Sequence, residues 1–377
     1  MKLAFTEEQG ELRKGLRRLL EKTSGSAELR RLLETDLGYD PELWDLMAKQ
    51  VGLQGLAIPE EYGGSGFGWM EQVAVFEEMG AALLSSPYLA SVALGAPMIL
   101  HSDDGQAKRD LLPGIASGAV VATLALAEDA GLWAAQEVAL TATRTAEGWR
   151  LDGHKSFVLD GMAADLILVV ATTPDGPSTF AVNGAAAGLT RRRLETMDPT
   201  RRLARLEFAQ TLARQIGTSA GTVAALSRTL DLAAVALAAE QVGGAARCLE
   251  MSVEHAKTRI QFGQPIGTFQ AIKHKCADML LDVELARSAA YYGGWAATEN
   301  LDELPVAASL AKAFCSQAYF HVAAENIQIH GGMGFTWEHD AHLYFKRAKS
   351  SGLLLGDAGY HREALAARLG IGCLQLS

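Results

Sequence analysis

From Leu232 the chain runs to about Thr258 without a proline, and two further long stretches follow, from about Phe269 into the Ala297 region and over about Val306–Ile329. Each carries apolar residues at helical spacing, so each must bury a stripe, and three such helices in succession point to a four-helix bundle. The outer faces of that bundle are suited to pairing with another subunit. A C-terminal helical bundle domain is therefore expected over residues 216–377.

The first 118 residues also read as helices. Thr6-Glu7-Glu8-Gln9 has the form of a capping box, in which the threonine hydroxyl takes an orphan amide and the glutamine reaches back. Leu12, Leu16, Leu19 and Leu20 then recur on one face. Pro59–Gly66 breaks the helical texture with a loop, and helix returns from Met70 to Met98, interrupted near Ser86-Pro87. From about residue 119 the texture changes. Val120–Leu126, Val138–Thr143, Leu166–Ala171, Thr179–Val182 and Leu203–Phe208 are β-rich, with Leu151-Asp152-Gly153 and Pro174-Asp175-Gly176 read as turns. A small β-barrel or sandwich over 119–215 follows, and the fold class is α+β: helical domain (1–118), β-domain (119–215), helical bundle (216–377).

A chain of 377 residues can bury a large core. Its formal charge of −10 argues against a nucleic-acid partner. Arg191-Arg192-Arg193 and Arg201, Arg202 and Arg205 are the basic clusters, expected to be solvated faces. Met1-Lys2-Leu3-Ala4-Phe5 shows no apolar signal core, and no apolar run approaches the roughly 18 residues of a membrane span. Cys248, Cys276, Cys315 and Cys373 lie far apart, so buried free thiols are expected. The nine histidines form no metal-binding spacing, so no metal site is expected. These features imply a cytoplasmic protein without a membrane partner.

Two glycine-containing segments carry chemistry. Thr258-Arg259-Ile260-Gln261-Phe262-Gly263-Gln264-Pro265-Ile266-Gly267-Thr268-Phe269-Gln270 lies between two of the long helices. A guanidinium at a helix end can clamp a pyrophosphate through two parallel hydrogen bonds. Phe262 offers a flat apolar contact, and Gly263 with Pro265 makes a turn. The second segment is Gln328-Ile329-His330-Gly331-Gly332-Met333-Gly334-Phe335-Thr336. Its glycines permit close backbone approach and leave amides free for a ligand.

The first segment resembles the R-x-Q-F-G-x-P-I-x-x-F-Q motif of acyl-CoA dehydrogenases, and the second the Q-I-x-G-G-x-G-[FY] segment of the same family. Together with Pro59–Gly66 and the helical, β, helical layout, the resemblance covers nearly the whole chain. Thr336-Trp337-Glu338-His339-Asp340 is similar to a bacterial branch, and His339 is read as structural. The resemblance implies FAD as cofactor and an acyl-CoA thioester as substrate. The α-proton leaves to a carboxylate base while the β-hydride moves to the flavin, and an electron-transfer flavoprotein is the implied acceptor. It also implies that each FAD lies between two subunits. One lends the ADP half, here Arg259, Gln261, Phe262, Phe269, Gln270, Gln328, Ile329, Gly331 and Gly332. The other lends the ring half.

The ring half departs from the family. Where members carry aromatic-x-x-Thr-Glu-Pro-Gly-x-Gly-Ser, this chain has Leu124 to Trp133, keeping Glu128 but losing the hydroxyls. The Trp-Ile-Thr stretch becomes Phe157-Val158-Leu159. The base positions of the two family branches match Leu355 and Ala233, neither of which accepts a proton. Asp357 replaces a threonine and sets a carboxylate near the implied cofactor. Glu240, about two helical turns past Ala233 on the same face, is a substitute candidate; a structural role is the competing reading. This asymmetry resembles the degenerate subunit of α2β2 acyl-CoA dehydrogenases of bacterial steroid side-chain breakdown. The resemblance therefore implies a base-lacking subunit of a heterotetramer in lipid metabolism. A homo-oligomer using Glu240 and a non-enzymatic scaffold of the same fold are the alternatives.

Overall fold

A computed structural model describes residues 5–371. The reading of Met1–Ala4 and that of Cys373 lie outside the described residues. The N-terminal helices are α1 (Glu7–Thr23), α2 (Ser26–Leu33), α3 (Pro41–Leu46), α4 (Trp69–Ala81), α5 (Ala96–Leu100) and α6 (Gly105–Ala116). The strands follow: β1 (Ala122–Ala125), β2 (Thr141–Thr145), β3 (Gly148–Leu159), β4 (Leu166–Thr173), β5 (Gly176–Asn183), β6 (Leu189–Arg193) and β7 (Leu203–Ile216). The C-terminal part holds α7 (Ser219–Thr258), β8 (Ile260–Gln261), β9 (Gln264–Pro265), α8 (Gln270–Glu299), α9 (Leu304–His330), α10 (Ala341–Leu353) and α11 (Ala358–Arg368). The order is helical, β, helical, as the sequence texture implies.

Packing divides these elements into two compact units: Arg31–Gly68 with Ser85–Ala233, and the segment up to Arg30 with Trp69–Leu84 and everything from Ala234 on. In the first unit the strands close into a barrel. β4 pairs β5, β5 pairs β7, β7 pairs β3, β3 pairs β2, and β2 returns to β4. β1 adds to β4 in parallel, and β6 adds to β7. Ile167–Ala171, Phe180, Val182 and Leu206 are fully buried, so β4 is covered on both of its faces. Pro174 and Asp175 make the β4–β5 turn, but Leu151-Asp152-Gly153 does not turn. It lies inside β3, where the register against β7 shifts and Gly153 takes φ 130°, so the glycine signals a bulge.

The arginine clusters are solvated faces only in part: Arg192 and Arg193 are exposed, but Arg191, Arg201 and Arg202 are not. Arg191 donates to the carbonyls of Gly161, Met162 and Ala164 at 3.2, 3.1 and 2.9 Å. Arg201 and Arg202 are buried, and Arg202 Nη2 donates to the carbonyls of Leu32, Leu33 and Thr35. Those carbonyls end α2 or follow it, where a helix leaves acceptors unsatisfied and a cation is favoured.

In the second unit, α1 begins with the Thr6–Gln9 capping box, each side chain bonded to the other's backbone amide. Leu16 and Leu20 form its buried stripe. α4 crosses α7 at contact distance through glycines on both helices. A Cβ on Gly80 would stand 1.9 Å from the Glu240 carbonyl oxygen, and one on Gly243 would stand 1.8 Å from that of Glu77. Beside this crossing Glu77 is buried and accepts from Arg13 (3.0 Å), Arg287 (3.1 Å) and the Tyr291 hydroxyl (2.7 Å). Unlike the expectation that no stretch is apolar enough to span a membrane, α7 has a window of mean hydropathy 1.4, but 72% of that window is buried. Its apolarity is that of a core helix. Cys248 and Cys315 are buried free thiols, whereas Cys276 is only half-buried, which corrects the expectation for that residue.

Candidate functional site

The first segment forms a miniature hairpin at the end of α7. Ile260 pairs Pro265 and Gln261 pairs Gln264, leaving Phe262 and Gly263 as a two-residue turn at φ 51° and 78°. Two successive positive φ values define a type I′ turn, in which asparagine and glycine are the usual residues. A phenylalanine there is strained by about 1–2 kcal/mol. The residue is 91% exposed, and its ring stands edge-on to that of Phe269 with centroids 6.1 Å apart. The base of the hairpin is fixed: the Arg259 amide donates to the His255 carbonyl and the Ile266 amide to the Arg259 carbonyl, both at 2.8 Å. Arg259, Gln261 and Gln270 are exposed, and Phe269 is half-buried.

The second segment ends α9. Gly331 turns the chain at φ 62°, and its amide caps back to the Gln328 carbonyl. A Cβ on Gly331 or Gly332 would meet nothing within 4 Å, so both backbones face open space. Gln328 is exposed, while Ile329 is buried and serves the packing of α9. The two segments converge, because His255, one turn before Arg259, stacks at 4.3 Å on His330, the residue before Gly331. Nine sequence-selected residues thus stand on two adjoining chain segments, with guanidinium, carboxamides and unobstructed glycine backbone at the surface. That donor set fits a diphosphate-bearing group.

Neither of the two positions that the resemblance matches to the family's base carries a group that can take a proton. Ala233 is fully buried on α7. Leu355 is buried at φ 61° in a loop pinned by two buried groups. Lys312 Nζ donates to the carbonyls of Gly352 (3.3 Å) and Gly356 (2.9 Å), and His361 Nε2 lies 3.0 Å from the Leu355 carbonyl oxygen. Burial first, then the Lys312 charge, pulls the His361 pKa down to about 4, so the ring is neutral and Nε2 is the donor. Asp357 accepts the Tyr360 amide at 2.8 Å and caps α11. Its carboxylate thus has a structural task. Glu240 accepts from Arg347 Nη1 at 3.1 Å, both side chains being buried.

In the barrel unit, Glu128 is engaged with the protein itself. Its carboxylate accepts the Ala139 and Leu140 amides and the Lys155 ammonium at 2.9 Å. Burial pulls its pKa up, but these donors win and hold it below the usual carboxylate range. Lys155 is itself fully buried, and burial lowers its pKa to about 8 despite Glu128. Phe157 sits at φ 58° where the β3 register shifts again, and Val158 and Leu159 are buried. A cavity of about 230 Å³ lies beside this loop, lined by Leu126, Ala130, Leu132, Val138, His154 and the carboxylate-bearing Glu128, Asp129 and Glu137. Carboxylates are acceptors only, so that lining presents few donors to a ring.

Sequence reasoning missed the buried cations Lys155, Lys312 and Arg347. Lys312 left a faint signal, a single charge in the apolar run Leu310-Ala311-Lys312-Ala313. Among the described residues, no group of three or more His, Cys, Asp or Glu side chains is arranged to hold a metal.

Residues 6–119 match the family described as acyl-CoA dehydrogenase, N-terminal domain, and residues 220–370 match acyl-CoA dehydrogenase, C-terminal domain. The chain is 37% identical to acyl-CoA dehydrogenase IpdE2 of Mycobacterium tuberculosis over 93% of each protein. Among solved structures it is similar to a variant of the Tcur3481-Tcur3483 steroid ACAD, with 32% identity and a TM-score of 0.86 over 97% of this chain and 98% of that one. It is also similar to the ChsE4-ChsE5 complex of Mycobacterium tuberculosis, with 29% identity and a TM-score of 0.88 over 98% and 99%.

Proposed function

The chain belongs to the acyl-CoA dehydrogenase family, whose members are oxidoreductases, and we propose that it acts there as the base-lacking subunit of a hetero-oligomer. In this role it contributes the ADP half of an FAD site, and a related subunit contributes the ring half and the base. The observation that carries this reading is a contrast within one chain. Phe262 and Arg259 are displayed to solvent on a strained hairpin, while Ala233 and Leu355 are buried alkyl groups. Backbone strain persists where the surrounding structure holds it, and it clusters at ligand clamps.

When bound, the flavin supplies the hydride acceptor for α,β-desaturation of the acyl thioester. This chain's residues do the holding. Arg259 pairs with the pyrophosphate, Gln261, Gln270 and Gln328 donate to phosphate or adenosine oxygens, and Phe262 covers an apolar face. Ile329, buried, positions the Gly331-Gly332 amides. Glu240 does not serve as base, because its carboxylate is turned to buried Arg347 inside the core. The likeness to a steroid ACAD and to a two-protein complex supports a steroid-derived acyl-CoA and a related partner subunit. An electron-transfer flavoprotein is the acceptor this reading implies.

The test is stoichiometry. Co-expression with candidate partner subunits, purification and flavin absorbance against total protein should give about one FAD per two chains. A homo-oligomer carrying one FAD per chain would overturn the heteromer, and a flavin-free assembly with every partner would favour a scaffold.

A further inference from the structure

Three imidazole rings stand together where the two cofactor-holding segments converge, each contributed by a different element. His255 of α7 stacks on His330 of α9 with ring centroids 4.3 Å apart, and His330 meets His339, in the loop before α10, at 4.4 Å. We propose that His255, His330 and His339 form an acid-sensitive clasp: as neutral rings they position the Arg259 hairpin against the Gly331–Asp340 segment, and as cations they part.

The hydrogen bonds fix which nitrogens carry protons. His330 Nδ1 lies 2.8 Å from the Asn326 carbonyl oxygen, so it is a donor. The Ala341 amide donates to His339 Nδ1 at 3.1 Å, so that nitrogen must keep its lone pair. A proton there breaks a bond at the first residue of α10. The charged surroundings oppose protonation of the flanking rings. His255 faces His330, Arg259 just past the end of its own helix, and His339. His339 faces His330, His342 of α10 and Arg30 of α2. The carboxylate that favours a charged His339 is Asp340, which already pairs with Arg30 at 2.7 Å and accepts from Ser26 at 2.7 Å. Burial first, then these cations, holds His255 and His339 below the ordinary histidine range. Below that range, acid places like charges on rings in van der Waals contact, and separation is the way to relieve them.

The clasp rests on the proposed function for its consequence but not for its existence, so its test has a readout that needs no flavin. Hydrogen exchange of the full chain in its assembly is followed by mass spectrometry at pH 7.5 and at about pH 4.5, below the ordinary histidine range, with intrinsic rates divided out. Peptides covering 255–263 and 330–341 should exchange about tenfold faster at the lower pH, both together. His330→Phe keeps a ring but takes no proton, and the pH difference should fall below about twofold. His255→Phe repeats the measurement should the first variant fold poorly by circular dichroism. Unchanged protection in the wild type, or a phenylalanine variant as acid-sensitive as the wild type, overturns the clasp. Flavin retention over the same pH range separates the two readings. Opening with full flavin retention supports the clasp and overturns the hairpin's cofactor role; flavin loss with no opening overturns the clasp.

Discussion

Arg259 illustrates how single residues here divide between holding the fold and holding a ligand. It is exposed, and its backbone, not its side chain, anchors the hairpin. Arg259→Ala should therefore leave thermal stability within about 1 °C of wild type, since a surface change of this kind moves stability by less than about 0.5 kcal/mol. Flavin retention should fall by roughly 10–150-fold, the worth of a charge-assisted contact of about 1.5–3 kcal/mol. Full flavin occupancy in the variant would remove Arg259 from the site. Glu240 lies at the other extreme. Glu240→Gln removes the carboxylate that faces buried Arg347, and breaking a buried pair in this way should cost about 3–5 kcal/mol in a urea titration. A variant of wild-type stability that has lost turnover would instead return Glu240 to the role of base. His361 gives a pH dependence. Its folded pKa of about 4 lies below the ordinary 6.5, so the unfolded chain takes up a proton first as pH falls. Its stabilisation is complete above pH 6.5 and is lost between 6.5 and about 4, by up to about 3 kcal/mol. Protonation would also put hydrogen on Nδ1, which is buried without a partner. His361→Gln should flatten the urea midpoint against pH in that window, and an unchanged slope would assign the acid sensitivity elsewhere.

At the scale of elements, the α4–α7 crossing depends on absent side chains. A Cβ on Gly243 would meet the Glu77 carbonyl oxygen at 1.8 Å, and backbone cannot rotate away as a side chain can. Gly243→Ala should force the helices apart and cost about 3 kcal/mol or more, read as a drop of several degrees in melting temperature. A melting temperature within a degree of wild type would mean that the crossing relaxes without cost. Elements of this kind differ in how legible they are. The long helices α7, α8 and α9 declare themselves because a 3.6-residue period over 25 residues has no competing interpretation. The capping box before α1 is legible because its signal is local. Strand β3 is not, since Asp152-Gly153 has the composition of a turn and only its partner strand makes it a bulge. The hairpin after α7 was recognisable as a motif, but not as a type I′ turn, because Phe262 is the wrong residue for one and the strain is visible only in coordinates. Arg192 and Arg193 are exposed as expected, whereas Arg191 of β6 and Arg202 before β7 depart from the expected solvated face for a similar reason. Their partners are carbonyls distant in sequence, and a charge count cannot distinguish water from a helix C-terminus.

For the whole molecule, the decisive property is what one chain lacks. On the proposed reading, the desaturation needs a base at the α-carbon, and the two positions matched to it by resemblance carry the buried methyl of Ala233 and the buried isobutyl group of Leu355. Glu128, Asp357 and Glu240 are carboxylates, but each is committed: to amides and Lys155, to the N-terminus of α11, and to Arg347. A positioned base contributes roughly 10²–10⁴-fold in rate, so the purified chain alone should be nearly inactive with any acyl-CoA. Turnover should appear on adding a partner that carries a glutamate at either base position. Replacing that glutamate by glutamine should abolish activity while leaving the flavin bound, whereas Arg259→Ala in this chain should remove flavin and activity together. The two losses are distinguishable by the visible spectrum of the assembly, yellow in the first case and colourless in the second. Robust turnover by the partner-free chain would show that its own carboxylates are less committed than their hydrogen bonds indicate. Leu355→Glu tests the same point in the opposite direction. With the loop already held by Lys312 and His361, a carboxylate there meets the family's positional demand but not its ring-side donors. It should give the lone chain no more than trace activity, because a base without a bound flavin has no hydride acceptor opposite it.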